Sequence, residues 1–177
     1  MTALEPEAID LTLDVTIRAA IKSDIPKLEW HGQYSHFRKM FQRAYREQLR
    51  GRRLILVAEK DDFPIGHIFI QFVGSSGQIA DGVERAYLYS FRVMEQFQRR
   101  GIGTRLLQEA QTLLRKRGYR TAIIAVAKHN QGARRLYERL GYILFAQDSG
   151  RWQYTDHRGV VQQVHEPCWL LKKSLIA

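Results

Sequence analysis

Between Phe91 and Thr104 the chain reads Phe-Arg-Val-Met-Glu-Gln-Phe-Gln-Arg-Arg-Gly-Ile-Gly-Thr, and no other stretch restricts the possible folds as much. Just before the loop, Ala86 to Val93 is an apolar, aromatic-rich run that suits a strand. After the loop, Thr104 to Lys116 places Leu106, Leu107, Ala110, Leu113 and Leu114 on one stripe, as an amphipathic helix does. A strand that turns through glycines into a helix leaves unpaired backbone N–H groups at a positive helix end, and such a pocket binds phosphate. Gly101 and Gly103 suit it, because a missing Cβ permits unusual dihedrals and lets an anion approach the main chain.

Two common phosphate binders are excluded. A Walker loop needs a Lys-Ser/Thr pair after its second glycine, and none is present here; a dinucleotide fingerprint needs a third glycine where this chain has Leu106. What remains, Gln98-x-x-Gly101-x-Gly103 after a strand, resembles the acyl-CoA-binding motif of the GNAT superfamily of N-acetyltransferases. On this segment alone, an ordinary strand–turn–helix junction with two convenient glycines reads equally well.

A second segment separates the two readings. Arg120 to Ala127 is a short β-branched apolar run, a candidate buried strand. Asn130-Gln-Gly-Ala133-Arg134-Arg135-Leu136-Tyr137-Glu138-Arg139-Leu140-Gly141-Tyr142 follows it and resembles the downstream signature of the same superfamily. The spacing also has local physical sense. Asn130 can cap the helix it precedes and Gly141 can supply a left-handed C-terminal position, while Ala133, Leu136, Tyr137 and Leu140 share a helical face. The resemblance is specific over Tyr87 to Tyr142 and looser elsewhere.

Length and composition agree with one domain over 15–177, preceded by an arm over 1–14. At 177 residues and 45% hydrophobic, the chain can bury one good core. Its longest apolar runs are too short to span a bilayer, and its acidic N-terminus lacks the basic start of a signal peptide. Cys168 is the single cysteine, so no internal disulfide forms, and the histidines have no partners at ligand spacing, so no metal site is expected. The cytosol is the expected compartment.

Along the chain, Val15 to Ala20 alternates as a first strand. Ser23-Asp24-Ile25-Pro26 opens a helix running through Leu28 and Trp30, and His36 to Arg50 reads as a second helix. Leu54 to Glu59 and Ile65 to Phe72 are strands joined by the Asp61–Pro64 turn, with a polar loop, Gly74 to Gly82, before the signature strand. Beyond Gly141 come strands at Tyr142 to Ala146 and Glu166 to Leu171, with a polar hairpin, Asp148 to Gln163, between them. The order β-α-α-β-β-β-α-β-α-β-β matches the fold that the resemblance implies. That fold is α/β (α+β): a mixed central sheet of about seven strands, helices on both faces, and strands four and five splayed to admit a pantetheine arm.

The resemblance further implies an acetyl-CoA-dependent N-acetyltransferase, in which an amine attacks the thioester directly in a ternary complex. Acetyl transfer needs a neutral amine, a donor for the oxyanion and a proton for the leaving thiolate. By the family's motif, the backbone N–H of Val93 is the oxyanion donor and Tyr137 the general acid. Phe91, Arg92 and Val93 line the pantetheine edge; Gln98, Arg99, Arg100, Gly101, Ile102, Gly103 and Thr104 hold the pyrophosphate; Asn130, Ala133 and Arg134 complete the CoA site. Many relatives carry a glutamate six residues before the Val93 position as general base. Tyr87 stands there in this chain, and no residue is put forward as base. A non-catalytic CoA-binding or basic interaction module with the same fold is the alternative that this departure keeps open.

The net charge of +10 invites a nucleic-acid reading. The arginine clusters, however, fall on four separate elements and mostly opposite apolar stripes, so solvated helix faces explain them and a nucleic-acid partner is not expected. A basic exterior disfavours polycationic acceptors such as polyamines, and tilts the acceptor towards an amino acid derivative, a small neutral amine or a peptide N-terminus. Trp30, Tyr34, Tyr87, Tyr89, Trp152 and Tyr154 are the candidate acceptor-side residues; such aromatics form either an apolar pocket or a homodimer contact.

Overall fold

The computed structural model describes residues 14–74 and 76–176. The arm expected over 1–14 lies outside them except for Asp14. The strands are β1 (Thr16–Ala19), β2 (Arg53–Lys60), β3 (Phe63–Gln71), β4 (Arg85–Val93), β5 (Thr121–Ala127), β6 (Ile143–Asp148), β7 (Arg151–Thr155), β8 (Val161–His165) and β9 (Cys168–Ser174). The helices are α1 (Arg38–Leu49), α2 (Ile102–Lys116) and α3 (Gln131–Arg139). Seven strands form one sheet in the order β1-β2-β3-β4-β5-β9-β6, and β7 and β8 make a separate hairpin. The β4–β5 pair is parallel and the other pairs are antiparallel, which is the mixed sheet that the element order implies.

Strand alternation divides the core between the two faces. On β2, Leu54, Leu56 and Ala58 join the cluster under α2, whereas Ile55 and Val57 join the cluster under α1. Leu106, Leu107, Ala110 and Leu114 of α2 are all 0% exposed. Burying each leucine contributes roughly 1.5–3 kcal/mol, against a few tenths from intrinsic helix propensity, so packing sets the place of α2. α3 adds buried Tyr137 to the same cluster, with Ala133, Leu136 and Leu140 packed beside it.

The ends of α3 form as its sequence directs. The Asn130 side chain accepts the Ala133 N–H at 3.1 Å. At the other end Gly141 has φ +93°, the Tyr142 N–H reaches the Tyr137 carbonyl at 3.0 Å and the Gly141 N–H reaches that of Glu138 at 3.0 Å. This is a Schellman ending, and Lys173 Nζ satisfies the next carbonyl, Leu140, at 2.6 Å.

Elsewhere the structure corrects the expected elements. The first helix is a 3-10 segment, Lys22–Glu29. Pro26 supplies no N–H, and Trp30 and His31 turn left-handed at φ +45° and +58°, which ends the segment before a run of α-helical bonds builds up. The helix expected over His36 to Arg50 starts with a 3-10 turn, Ser35–Phe37, and continues as α1. The late hairpin sits a few residues further on than expected. It is tied by the Glu166 N–H to the Gly150 carbonyl at 3.0 Å, and its turn is organised by buried Asp156, whose carboxylate accepts the N–H groups of Arg158 and Val160 at 2.9 Å.

Candidate active site

β4 and β5 pair from Arg85↔Thr121 to Leu88↔Ile124 and then part. β4 runs on to Val93 without a neighbour on that side, while Ala125 to Ala127 pair with β9 alone. On its other side β4 stays paired with β3, and the Met94 N–H donates to the Ile65 carbonyl at 2.8 Å. Successive residues of a strand direct their N–H and C=O groups to opposite sides. The main-chain groups of Phe91 and Val93 therefore face the gap, and those of Arg92 face β3. The Val93 carbonyl accepts Nε2 of Gln98 at 2.9 Å, which ties the following loop to the strand end.

This arrangement depends on a bulge. Between the pairs Tyr89↔Phe69 and Arg92↔His67 the register shifts, so that Ser90 and Phe91 together oppose Ile68. Ser90 takes φ +48°, and its carbonyl lies 2.7 Å from Nδ1 of His67. His67 is 0% exposed; burial, with Arg92 nearby, pushes its pKa down to about 3, so the ring is neutral and Nδ1–H is the donor. Its Nε2 is the buried side-chain polar atom left without a partner among the described residues. His67 was not foreseen as a site residue; the available signal was a lone histidine inside an apolar strand.

The extra residue also exchanges the faces. Ala86 and Leu88 point into the α2 core, but beyond the bulge it is Phe91 and Val93 that pack there. Tyr87, Tyr89 and Arg92 share the opposite face. The Tyr87 and Tyr89 rings stack with centroids 5.6 Å apart and 6° between planes, and Arg53 donates to the Tyr89 hydroxyl. Burial raises both phenols, which makes neither a base near neutrality. The Arg92 guanidinium lies 4.6 Å from the centre of the Tyr34 ring and 5.3 Å from that of Phe37, and donates to Ser90 Oγ at 2.8 Å. Arg92 was expected at the cofactor. Its side chain lies on the face of Tyr87 and Tyr89, against Tyr34 and Phe37, because the bulge turns it there.

Tyr34, Trp152 and Tyr154 come together around Phe37. Centroid separations from Phe37 are 6.3 Å to Tyr34, 6.4 Å to Trp152 and 5.0 Å to Tyr154, so the β7–β8 hairpin closes over the start of α1. Trp30 does not line this surface. It is 5% exposed, its indole N–H donates to the Pro64 carbonyl at 2.8 Å, and its ring backs Tyr34 and His67 from the core.

At the other end of the gap, no side chain among the described residues caps α2. The first helical bond runs from the Arg105 N–H to the Gly101 carbonyl at 3.0 Å, so the N–H groups of Ile102, Gly103 and Thr104 lack intrahelical acceptors. Gly101 needs its glycine for conformation, at φ +78°. Gly103 needs its own for contact: a Cβ there would stand 3.2 Å from Cζ of Phe91. The Ile102 side chain is buried, leaving only its main chain to offer, whereas Arg99 and Arg100 are exposed beside it. Arg134 is held by Glu138 at 2.9 Å and lies 5.4 Å from the Trp169 ring centre.

Tyr137 is 6% exposed, with its ring centroid 6.3 Å from that of Phe91. Burial, reinforced by Tyr142, holds its phenol above the ordinary range, so it keeps its proton at neutral pH. An uncapped helix end and a strand edge with outward N–H groups thus adjoin a protonated phenol through one ring, Phe91.

A sequence model of the Acetyltransferase (GNAT) family matches residues 22–142, more than half of the chain. The chain belongs to the GNAT family. The match covers the splayed strands, the α2 turn and the whole of α3. A probable N-acetyltransferase, camello, of Xenopus tropicalis is 27% identical over 116 residues, 64% of this GNAT chain; the chain spans about half (53%) of that relative's length. The GNAT fold is matched by the Escherichia coli ribosomal-protein-S18-alanine N-acetyltransferase (TM-score 0.69, 22% identity, 92% of this chain and 95% of that one). It is matched as well by Ard1 of Thermoplasma volcanium (TM-score 0.70, 18% identity, 92% and 99%) and by Arabidopsis thaliana NAA60 in complex with acetyl-CoA (0.66, 19%, 90% and 98%). At these identities the solved structures speak for the fold.

Among the described residues no group of three potential ligands could hold a metal ion, and no helix is long and apolar enough to cross a membrane.

Proposed function

We propose that the protein is an acetyl-CoA-dependent N-acetyltransferase that acts on a primary amine by direct attack in a ternary complex. The observation that carries this is the outward Val93 N–H at the point where β4 leaves β5, beside an uncapped α2 terminus. The cofactor fits what is present: free N–H groups from Ile102 to Thr104 and exposed Arg99 and Arg100 suit its phosphates, and the outward edge of Phe91 and Val93 suits its amide-bearing arm. When bound, acetyl-CoA supplies an activated acyl group on a thiol leaving group.

The residues of the chain do the rest. The Val93 N–H is an oriented donor for negative charge developing on a carbonyl oxygen in the gap, an effect worth roughly 3–4 kcal/mol where measured on other enzymes. Tyr137 holds its proton at the phenolic oxygen for delivery to a thiolate. Gln98 holds the Val93 carbonyl, and so the strand end, in place. Tyr87 occupies the position of the missing carboxylate and stays protonated, so the amine's proton leaves by another path, such as water.

Thiol release from acetyl-CoA, measured against a panel of amines, amino acids and N-terminal peptides, tests this. Acceptor-dependent release supports the transferase. Coenzyme A binding by calorimetry with no release for any acceptor would point to a non-catalytic module.

A further inference from the structure

Arg92 is a partly buried cation that no carboxylate among the described residues pairs with. The bulge at Ser90 puts it on the acceptor face with Tyr87 and Tyr89, and its contacts there are two aromatic faces and a serine hydroxyl. Tyr34 is the one titratable side chain among the described residues that bears on it favourably, and no carboxylate among them pairs with it. Adjacent His67 is buried and neutral, and Arg53, which reaches the Tyr89 hydroxyl, adds a second positive group to this face. Glu47 of α1 acts on Tyr89, but its carboxylate is already shared between Arg50 at 3.5 Å and Arg52 at 3.1 Å. Asp148 bears on Tyr87, so the cationic part of the face is the part around Arg92 and Arg53. It is walled by aromatic rings, and the hairpin brings Trp152 and Tyr154 against Phe37.

We propose that Arg92 determines acceptor specificity: its guanidinium receives a carboxylate carried by the amine, so the acceptor is an amino acid or amino-acid derivative with a free carboxylate. This rests on the transferase reading of the same site and names its substrate class. A guanidinium offers five donors in a planar fork; Ser90 Oγ takes one and the Tyr34 side chain is within hydrogen-bond reach, which leaves donors for a carboxylate. A partly buried cation lying over two aromatic rings with no carboxylate beside it is incompletely compensated, and a bound carboxylate relieves that cost. The same charge rejects polyamines, whose remaining ammonium groups would enter a cationic pocket. It also favours the neutral form of an amine held nearby, the form that attacks, in a site with no carboxylate base at Tyr87. Phe37, Trp152 and Tyr154 would then face the acceptor's side chain, which favours apolar and aromatic amino acids.

The test pairs each standard amino acid with its carboxamide as acceptors for acetyl-CoA turnover. For the best acceptor it adds calorimetric binding of the N-acetylated acid and the N-acetylated amide to the protein saturated with coenzyme A. The acid is expected to exceed its amide in kcat/KM by about tenfold or more; Arg92→Gln brings that ratio near one and Arg92→Lys keeps part of it. A ratio is insensitive to the folded fraction of a variant. An amide that serves as well as its acid, or a ratio untouched in Arg92→Gln, would overturn the proposal. If no amine turns over, the transferase reading fails and calorimetry with N-acetylphenylalanine and its amide decides alone. Arg92-dependent preference for the acid then supports the carboxylate site, and equal binding of the two forms removes it.

Discussion

Nδ1 of His67 lies 2.7 Å from the carbonyl oxygen of Ser90, and this contact holds the bulge that directs the end of β4. A neutral, fully buried imidazole stands behind a residue at φ +48°. Opposite it, the strand carries Phe91 and Val93 to the gap between β4 and β5 and Arg92 to the face of Tyr87 and Tyr89.

The bulge makes stability depend on pH. The pKa of His67 falls from 6.5 to about 3 in the folded protein, so the unfolded chain takes up a proton that the folded one refuses. This contribution is fully present above pH 6.5 and is lost as pH falls towards 3, at up to ~1.4 kcal/mol per unit. Urea denaturation across that range should show the slope in the native protein and a much flatter one in His67→Gln. Equal slopes would mean that other groups dominate acid unfolding.

Tyr137→Phe removes the phenolic proton while keeping the ring that packs beside Phe91 and Tyr142. Turnover should fall by about 10²-fold or more, with coenzyme A affinity within about twofold of the native value. Comparable kcat values in single-turnover measurements would take Tyr137 out of the chemistry.

Gly103→Val forces branched atoms into the space of the Phe91 ring, where even a Cβ would sit at 3.2 Å. The first turn of α2 must then move off β4, at a cost of roughly 1–3 kcal/mol. Because the free N–H groups move with that turn, acetyl-CoA affinity should weaken about tenfold or more by calorimetry. An unchanged dissociation constant would separate the α2 terminus from cofactor binding.

Gly141→Ala places a side chain at φ +93°, in the left-handed ending of α3. The expected loss is roughly 1–2 kcal/mol of stability, read from thermal or chemical unfolding. A loss under about 0.5 kcal/mol would show that α3 ends as readily another way.

Much of the fold was legible because it is written locally. The Leu106–Leu114 stripe, the Asn130 cap and the Gly141 ending each need only residues within a few positions of one another, and each formed as expected. The 3-10 character of Lys22–Glu29 was missed, since helical spacing and an early proline read the same for both helix types. Trp30 shows the limit for the site. An aromatic residue in a variable segment suggests an acceptor wall, and only the Pro64 carbonyl across the fold, 34 positions away, makes it a core residue.

By itself the sequence determined the strand–glycine turn–helix unit, the capped helix that carries Tyr137, and through those two motifs the GNAT family. The two units follow from side-chain period, capping and the backbone freedom of glycine; the family follows from the resemblance of their motifs. Tertiary structure alone decided which way Arg92 points and how His67 is charged. The bulge is a mismatch of register between β3 and β4, and register belongs to a pair of strands. Within β4 alone, strict alternation would have put Arg92 on the same face as Leu88; one extra residue opposite Ile68 moved it to the face of Tyr87 and Tyr89.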